Sequence, residues 1–173
     1  MTVFPVYFRL FLLVSLAVLT GNQDLVAQNA SKTQSIQMTE TGWQVICRAV
    51  GQDRTKLGCS LLHETYSQQD RVRVMAVELA KGDKSRSMIA TVPQGVSLKE
   101  GIEFAIDGAK QAQLAYTHCA NNGCYAMLEL TDATLNNLKK GKVLEMSFLD
   151  LQGSKLKTDI SLAGFAQALA KSD

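Results

Sequence analysis

Apolar and polar positions alternate along most of the chain, in short runs. "GWQVICRAV" (42–50) puts Trp43, Val45 and Cys47 on one face of a strand, because successive strand side chains point to opposite sides. "KLGCSLLHETY" (56–66) does the same for Leu57, Cys59 and Leu61. "RVRVMAVEL" (71–79) is rich in β-branched residues, and "SMIATV" (87–92) follows the polar turn "KGDKS". "IEFAID" (102–107), "AQLAYTHC" (112–119), "CYAMLEL" (124–130), "KVLEMSFLDL" (142–151) and "KLKTDISL" (155–162) continue the series. "GQDR", Pro93, Gly95, Gly101, "DGAK" and Gly153 punctuate it. Arg71 and Arg73 share a face of their strand, where charge discourages edge-to-edge pairing.

Two stretches break the period. "TDATLNNLKKG" (131–141) has Thr131 or Asp132 as N-cap and Gly141 at the C-terminal cap. Leu135 and Leu138 share one helical face, and Lys139 and Lys140 complement the helix dipole. "AGFAQALAK" (163–171) reads as a short apolar helix docked on the core. Short strands with turns every 8–12 residues or so predict a mainly β fold. The expected architecture is a β-sandwich or open barrel of antiparallel strands with one or two short helices. Trp43 precedes every cysteine, unlike the immunoglobulin pattern, and reads as a core residue beside a disulfide.

The first 27 residues follow a different rule. Arg9 precedes an apolar run from Leu10 to Leu19, interrupted only by Ser15, and small and polar residues follow. That is the order of a secretory signal peptide, with Ala27 as the expected last residue before cleavage. The run is shorter than the roughly 20 residues of a membrane-spanning helix, so no transmembrane helix is expected in the mature chain. No cysteine lies near the cleavage region, which argues against a lipoprotein anchor. Residues 28–40 are polar and aperiodic and read as a flexible lead-in. Residues 41–173 are expected to form a single β domain.

Export changes the meaning of the cysteines. The chain has 173 residues and four cysteines, Cys47, Cys59, Cys119 and Cys124, all beyond the signal segment. An even count outside the cytoplasm argues for two disulfides. Three pairings are open, and two local bridges, Cys47–Cys59 and Cys119–Cys124, are the simplest. The formal net charge of +2 supplies no field for nucleic acid. Lys139, Lys140 and Lys142, and separately Lys81, Lys84 and Arg86, read as a solvated helix end and a charged turn.

"AYTHCANNGCYAML" (115–128) invites a chemical reading. A zinc site needs four converging ligands, and the chain has only His63 and His118 to add to its cysteines. Adjacent strand residues face opposite ways, so His118 does not join Cys119 in one coordination sphere. Thioredoxin chemistry uses Cys-x-x-Cys at a helix N-terminus, whereas Cys119 and Cys124 are separated by four residues between strands. No nucleophile elbow, His-Glu-x-x-His or phosphate loop is present. Catalytic, cofactor-binding and metal residues are therefore expected to be none. The stretch reads as a stapled hairpin, with Asn121, Asn122 and Gly123 as turn residues that tolerate positive φ.

The ordered set "GWQVIC", "LGCSL", "VPQGVSLKEGIEFAID", "YTHCANNGCYAMLEL", "LNNLKKGK" and "ISLAGFAQAL" resembles the invasion-associated locus B family over roughly Gly42 to Ala170. The resemblance implies an exported, periplasmic or envelope-associated bacterial protein without established catalytic residues, whose cysteines are structural. The expected function is a non-enzymatic role in host-cell invasion or envelope stress survival through protein interactions. The partner is expected to be a protein of the envelope or the host-cell surface. Location at the outer membrane or outside the cell is the neighbouring possibility. The alternative reading is a periplasmic module that binds a small ligand or glycan.

Overall fold

In the computed structural model of the protein, the alternation becomes an inside and an outside. The structure describes residues 33–34, 38–40, 42–51, 56–82 and 85–173. The expected signal peptide lies outside the described residues. The strands are β1 (Thr33–Gln34), β2 (Met38–Glu40), β3 (Gln44–Val50), β4 (Lys56–Ser67), β5 (Arg73–Lys81), β6 (Arg86–Val92), β7 (Ile102–Ile106), β8 (Ala109–Ala120) and β9 (Gly123–Leu130). Helix α1 (Asp132–Lys140), β10 (Val143–Leu149), β11 (Lys155–Ser161) and α2 (Phe165–Lys171) complete the order. One sheet runs β1-β11-β10-β7-β8-β9-β6-β5-β4-β2, with β3 also on β4. From β3 to β11 every pairing is antiparallel. The mainly antiparallel β architecture expected from the sequence is the one observed, curled into a half-barrel.

β8 makes the curl. Its first half pairs with β7 from Ala109 to Leu114, and its second half pairs with β9 from Ala115 to Ala120. A single strand therefore passes from one half of the sheet to the other, which is how small β folds turn a corner. The strand begins three residues earlier than its alternation predicts, because Ala109 and Lys110 pair with β7, with Gln111 as the extra residue at a register shift, although the sequence there reads as a turn. Within the polar lead-in, Thr33–Gln34 lies parallel to β11 and Met38–Glu40 lies antiparallel to β4. This stretch touches both outer edges of the sheet. Between the pairs Glu40–Thr65 and Gln44–Leu62 the register on β4 shifts by one residue. Just before β3, the Trp43 indole donates to the Ser161 carbonyl at the end of β11, at 2.8 Å.

The core is the set of inward positions, two apart on each strand. Met75, Val77 and Leu79 on β5, Met88, Ala90 and Val92 on β6, and Leu144, Met146 and Phe148 on β10 are all buried. Ile102, Phe104 and Ile106 on β7 join them. The helices close the open ends. Thr131 caps α1 by accepting from the Thr134 amide at 3.2 Å, and Leu138 is its buried residue. Helix α2 inserts Phe165, Ala168 and Leu169 into the same core. Trp43 packs edge-on against Phe165 at 4.9 Å between centroids and tilts over the buried His63 at 5.1 Å.

Three expectations change. Arg71 lies in the β4–β5 turn with φ +56 rather than on a strand with Arg73. β5 lies between β4 and β6, so its charge guards no edge. Arg86 is buried, not part of a surface cluster, and its guanidinium is ion-paired to Asp173.

Candidate functional site: the groove beside the stapled hairpin

The hairpin of β8 and β9 is built by its register. Cys119 lies directly opposite Cys124, and Ala120 opposite Gly123, so Asn121 and Asn122 form a two-residue tip. A disulfide joins Cys119 to Cys124, and another joins the facing pair Cys47 and Cys59. Thr117 is an extra residue in β8, which sets His118 opposite Tyr125. The two rings stack at 4.7 Å with planes 7° apart. The Asn121 and Asn122 backbones stay at negative φ; only Gly123 is positive, at φ +134. Its more stringent constraint is space. A Cβ there would lie 2.3 Å from the Val92 carbonyl oxygen, so the hairpin sits close against β6 only because this residue is glycine.

This close approach shapes an open cavity of about 400 Å³ between the hairpin tip, the end of β6 and the start of β5. Its sides are Tyr66, Val72 and Arg73 on one flank, and Pro93 and Gln94 on the other. Arg73 is held from two directions. One guanidinium nitrogen contacts Glu64 at 3.1 Å, and the other donates to the Asn122 carbonyl at 3.3 Å. The Tyr66 hydroxyl donates to the same Glu64 carboxylate at 3.0 Å. That hydrogen bond, helped by desolvation, raises the Tyr66 pKa above the ordinary phenol value. The Gln94 amide donates to the Ala120 carbonyl at 2.8 Å and ties the loop after β6 to the hairpin.

A second region lies on the outer face of β7, β10 and β11. Glu103 accepts from Lys155 at 2.8 Å and Lys110 at 3.1 Å, and Lys157 bridges Glu145 and Asp159. The two lysines hold the Glu103 carboxyl down at about 2. Cavities of about 260 and 170 Å³ lie along this ladder. Its charges are spent on each other. Among the described residues, no three His, Cys, Asp or Glu side chains converge as metal ligands. His63 is buried beneath Trp43 and His118 lies on Tyr125, so the structure keeps the two histidines apart.

The comparison with known proteins follows this geometry. The sequence model of the invasion associated locus B (IalB) protein family matches residues 43–173, from the indole that reaches β11 to the last residue. The chain belongs to this family. An invasion protein B homolog of Brucella abortus (strain 2308) is 28% identical over 138 residues, covering 78% of each chain. Invasion protein B of Bartonella bacilliformis is 26% identical over 140 residues, covering 78% of this chain and 74% of its own. The crystal structure of invasion associated protein B from Bartonella henselae superposes with a TM-score of 0.66 at 20% identity. It spans 80% of this chain and 95% of that one, and shows that the fold is shared. Among the described residues, no helix is long and apolar enough to cross a membrane.

The sequence singled out the Asn-Asn-Gly tip but missed Tyr66, Arg73, Pro93 and Gln94 as its companions. Tyr66 ends one strand, Arg73 begins the next, and the tip lies some fifty residues further on. The only local signals were turn residues near each, which do not say which turns meet.

Proposed function

We propose that this IalB-family protein is an exported, non-enzymatic envelope protein that supports host-cell invasion by binding, through its periplasmic or surface-exposed domain. The family membership over residues 43–173 carries the invasion part of this reading. Both cysteine pairs lie in facing, bridged register, which suits an oxidising compartment. The order of Arg9, apolar run and Ala27 at the N-terminus supports export by a cleaved signal peptide. The cysteines act as staples, and where Ser147, Glu103 and Lys155 meet in one cleft the carboxylate is already ion-paired to Lys155 and Lys110.

Two measurements test the proposal. N-terminal sequencing of the protein from the periplasmic fraction is expected to begin at Gln28; a protein recovered only from the cytoplasm with Met1 intact overturns export. Deleting the gene is expected to lower entry into cultured host cells, with recovery on complementation. Entry equal to that of the parent strain overturns the role in invasion.

A further inference from the structure

We propose that the groove beside the stapled hairpin is a binding site for a neutral oligosaccharide. The inference rests on the reading that this protein works by binding, and it names the chemistry of the ligand.

The charge of the groove comes first. Its one cation among the described residues, Arg73, is already paired with Glu64, and the Tyr66 hydroxyl bonds to that carboxylate too. The lining therefore offers no uncompensated charge to a phosphate, a sulfate or an acidic chain. What remains is amide, ring and the exposed Val72 side chain. The Asn121 and Asn122 side chains are exposed at the tip and make no hydrogen bond among the described residues. Gln94 uses its amide nitrogen on Ala120, which leaves its carbonyl oxygen for a ligand. Carboxamides both donate and accept. This matches sugar hydroxyls, which do the same, better than it matches an apolar ligand or an ion.

The groove also has a platform. Tyr66 and Pro93, both half-buried, present a flat ring and a pyrrolidine along its walls. Aromatic side chains combine an apolar body with a polar tip, which suits the C–H face and hydroxyl rim of a sugar. A volume of about 400 Å³ falls within the range of small-molecule sites and holds about two sugar rings.

The backbone that carries the amides is also held in place. The Cys119–Cys124 bridge closes the tip, Arg73 holds the Asn122 carbonyl, and Gln94 holds the Ala120 carbonyl. Less conformational freedom is lost on binding when the groups are already ordered. This gives the stapled tip a reason to be stiff as well as closed.

The test uses the exported protein purified in its oxidised form. Saturation-transfer NMR and calorimetry are run against maltotetraose, cellotetraose, chitotetraose and mannotetraose, with a heparin tetrasaccharide as the charged counterpart. At least one neutral tetrasaccharide is expected to bind saturably and more tightly than the heparin probe. The double variant Asn121→Ala/Asn122→Ala is expected to weaken that binding at least tenfold with an unchanged melting temperature. Lys157→Ala, on the charged ladder of β10 and β11 and outside the groove lining, is expected to leave it unchanged. The assignment is overturned by absence of binding to all four neutral sugars, by preference for heparin, or by binding indifferent to the double variant. If no sugar binds while gene deletion still lowers cell entry, the sugar assignment falls and the invasion role stands.

Discussion

At the scale of single residues, the hairpin tip depends on one missing side chain. Gly123 sits at φ +134 with the Val92 carbonyl where its Cβ would be, whereas Gly153 sits at φ +78 with nothing within 4 Å. Gly123→Ala therefore meets both backbone strain and a backbone clash that no rotamer relieves. It is expected to cost about 3 kcal/mol or more, against about 1 kcal/mol for Gly153→Ala, in urea denaturation. Equal costs would mean that β6 moves aside freely. Glu103 is the residue that reports on acid. Its folded pKa is depressed to about 2 from 4.5, first by the Lys155 hydrogen bond and then by Lys110. A depressed carboxyl favours the folded state above its unfolded value and loses that advantage as pH falls through the folded one. The urea midpoint is therefore expected to drop between about pH 4.5 and pH 2, with a shallower drop in Glu103→Gln. The carboxyl is 42% exposed, so solvent screening keeps the effect small.

At the scale of elements, the Cys47–Cys59 disulfide sits where two strands leave the core. β4 pairs with β5 only from Ser60 onward, so Lys56–Cys59 project past the sheet with β3 as their neighbour. Val50 and Leu57 are exposed there, at 45% and 73%. Apolar burial cannot hold this hairpin end, and the Cys47–Cys59 bridge does. Replacing both cysteines with serine is expected to cost about 3 kcal/mol, and the shorter Cys119–Cys124 loop about 2 kcal/mol, in the chain-entropy model. Hydrogen exchange is expected to show the first loss as fraying of 47–50 and 56–59 with β5, β6 and β9 still protected. Loss of protection across β5 and β6 instead would show that the staple holds the whole sheet. Most element bounds were legible from the alternation, because one face of each strand meets a single core. β8 was read short at Ala109–Gln111. Those residues are polar or small, and only pairing with β7 makes them strand.

At the scale of the whole molecule, Trp43 and α2 link the two edges of the curled sheet. Phe165 is fully buried and receives the edge contact from Trp43, whose indole N–H reaches Ser161. Phe165→Ala is expected to cost about 3–5 kcal/mol by leaving a cavity. Trp43→Phe keeps most of the packing and loses one hydrogen bond, about 1 kcal/mol. Calorimetric melting of the two variants checks the order; a larger loss for Trp43→Phe would place the closure in the hydrogen bond rather than in the packing.

The sequence by itself determined the class of fold, the nine strands from β3 to β11 and both helices, because period-2 burial, caps and turn residues are local signals, and its ordered motifs carried the resemblance to the family. It also marked the Asn-Asn-Gly tip. Tertiary structure alone decided which turns meet. Tyr66 and Arg73 face each other across one hairpin, Gln94 follows β6 and Asn122 tips another hairpin, and only the curl of one sheet brings them around a shared groove. Burial of Arg86 against Asp173 was likewise invisible, since a charged residue beside a turn reads as solvent-facing until the C-terminal helix folds back over it. Side-chain alternation tells each strand which face is inside. It carries no information about what another strand, far along the chain, will place beside it.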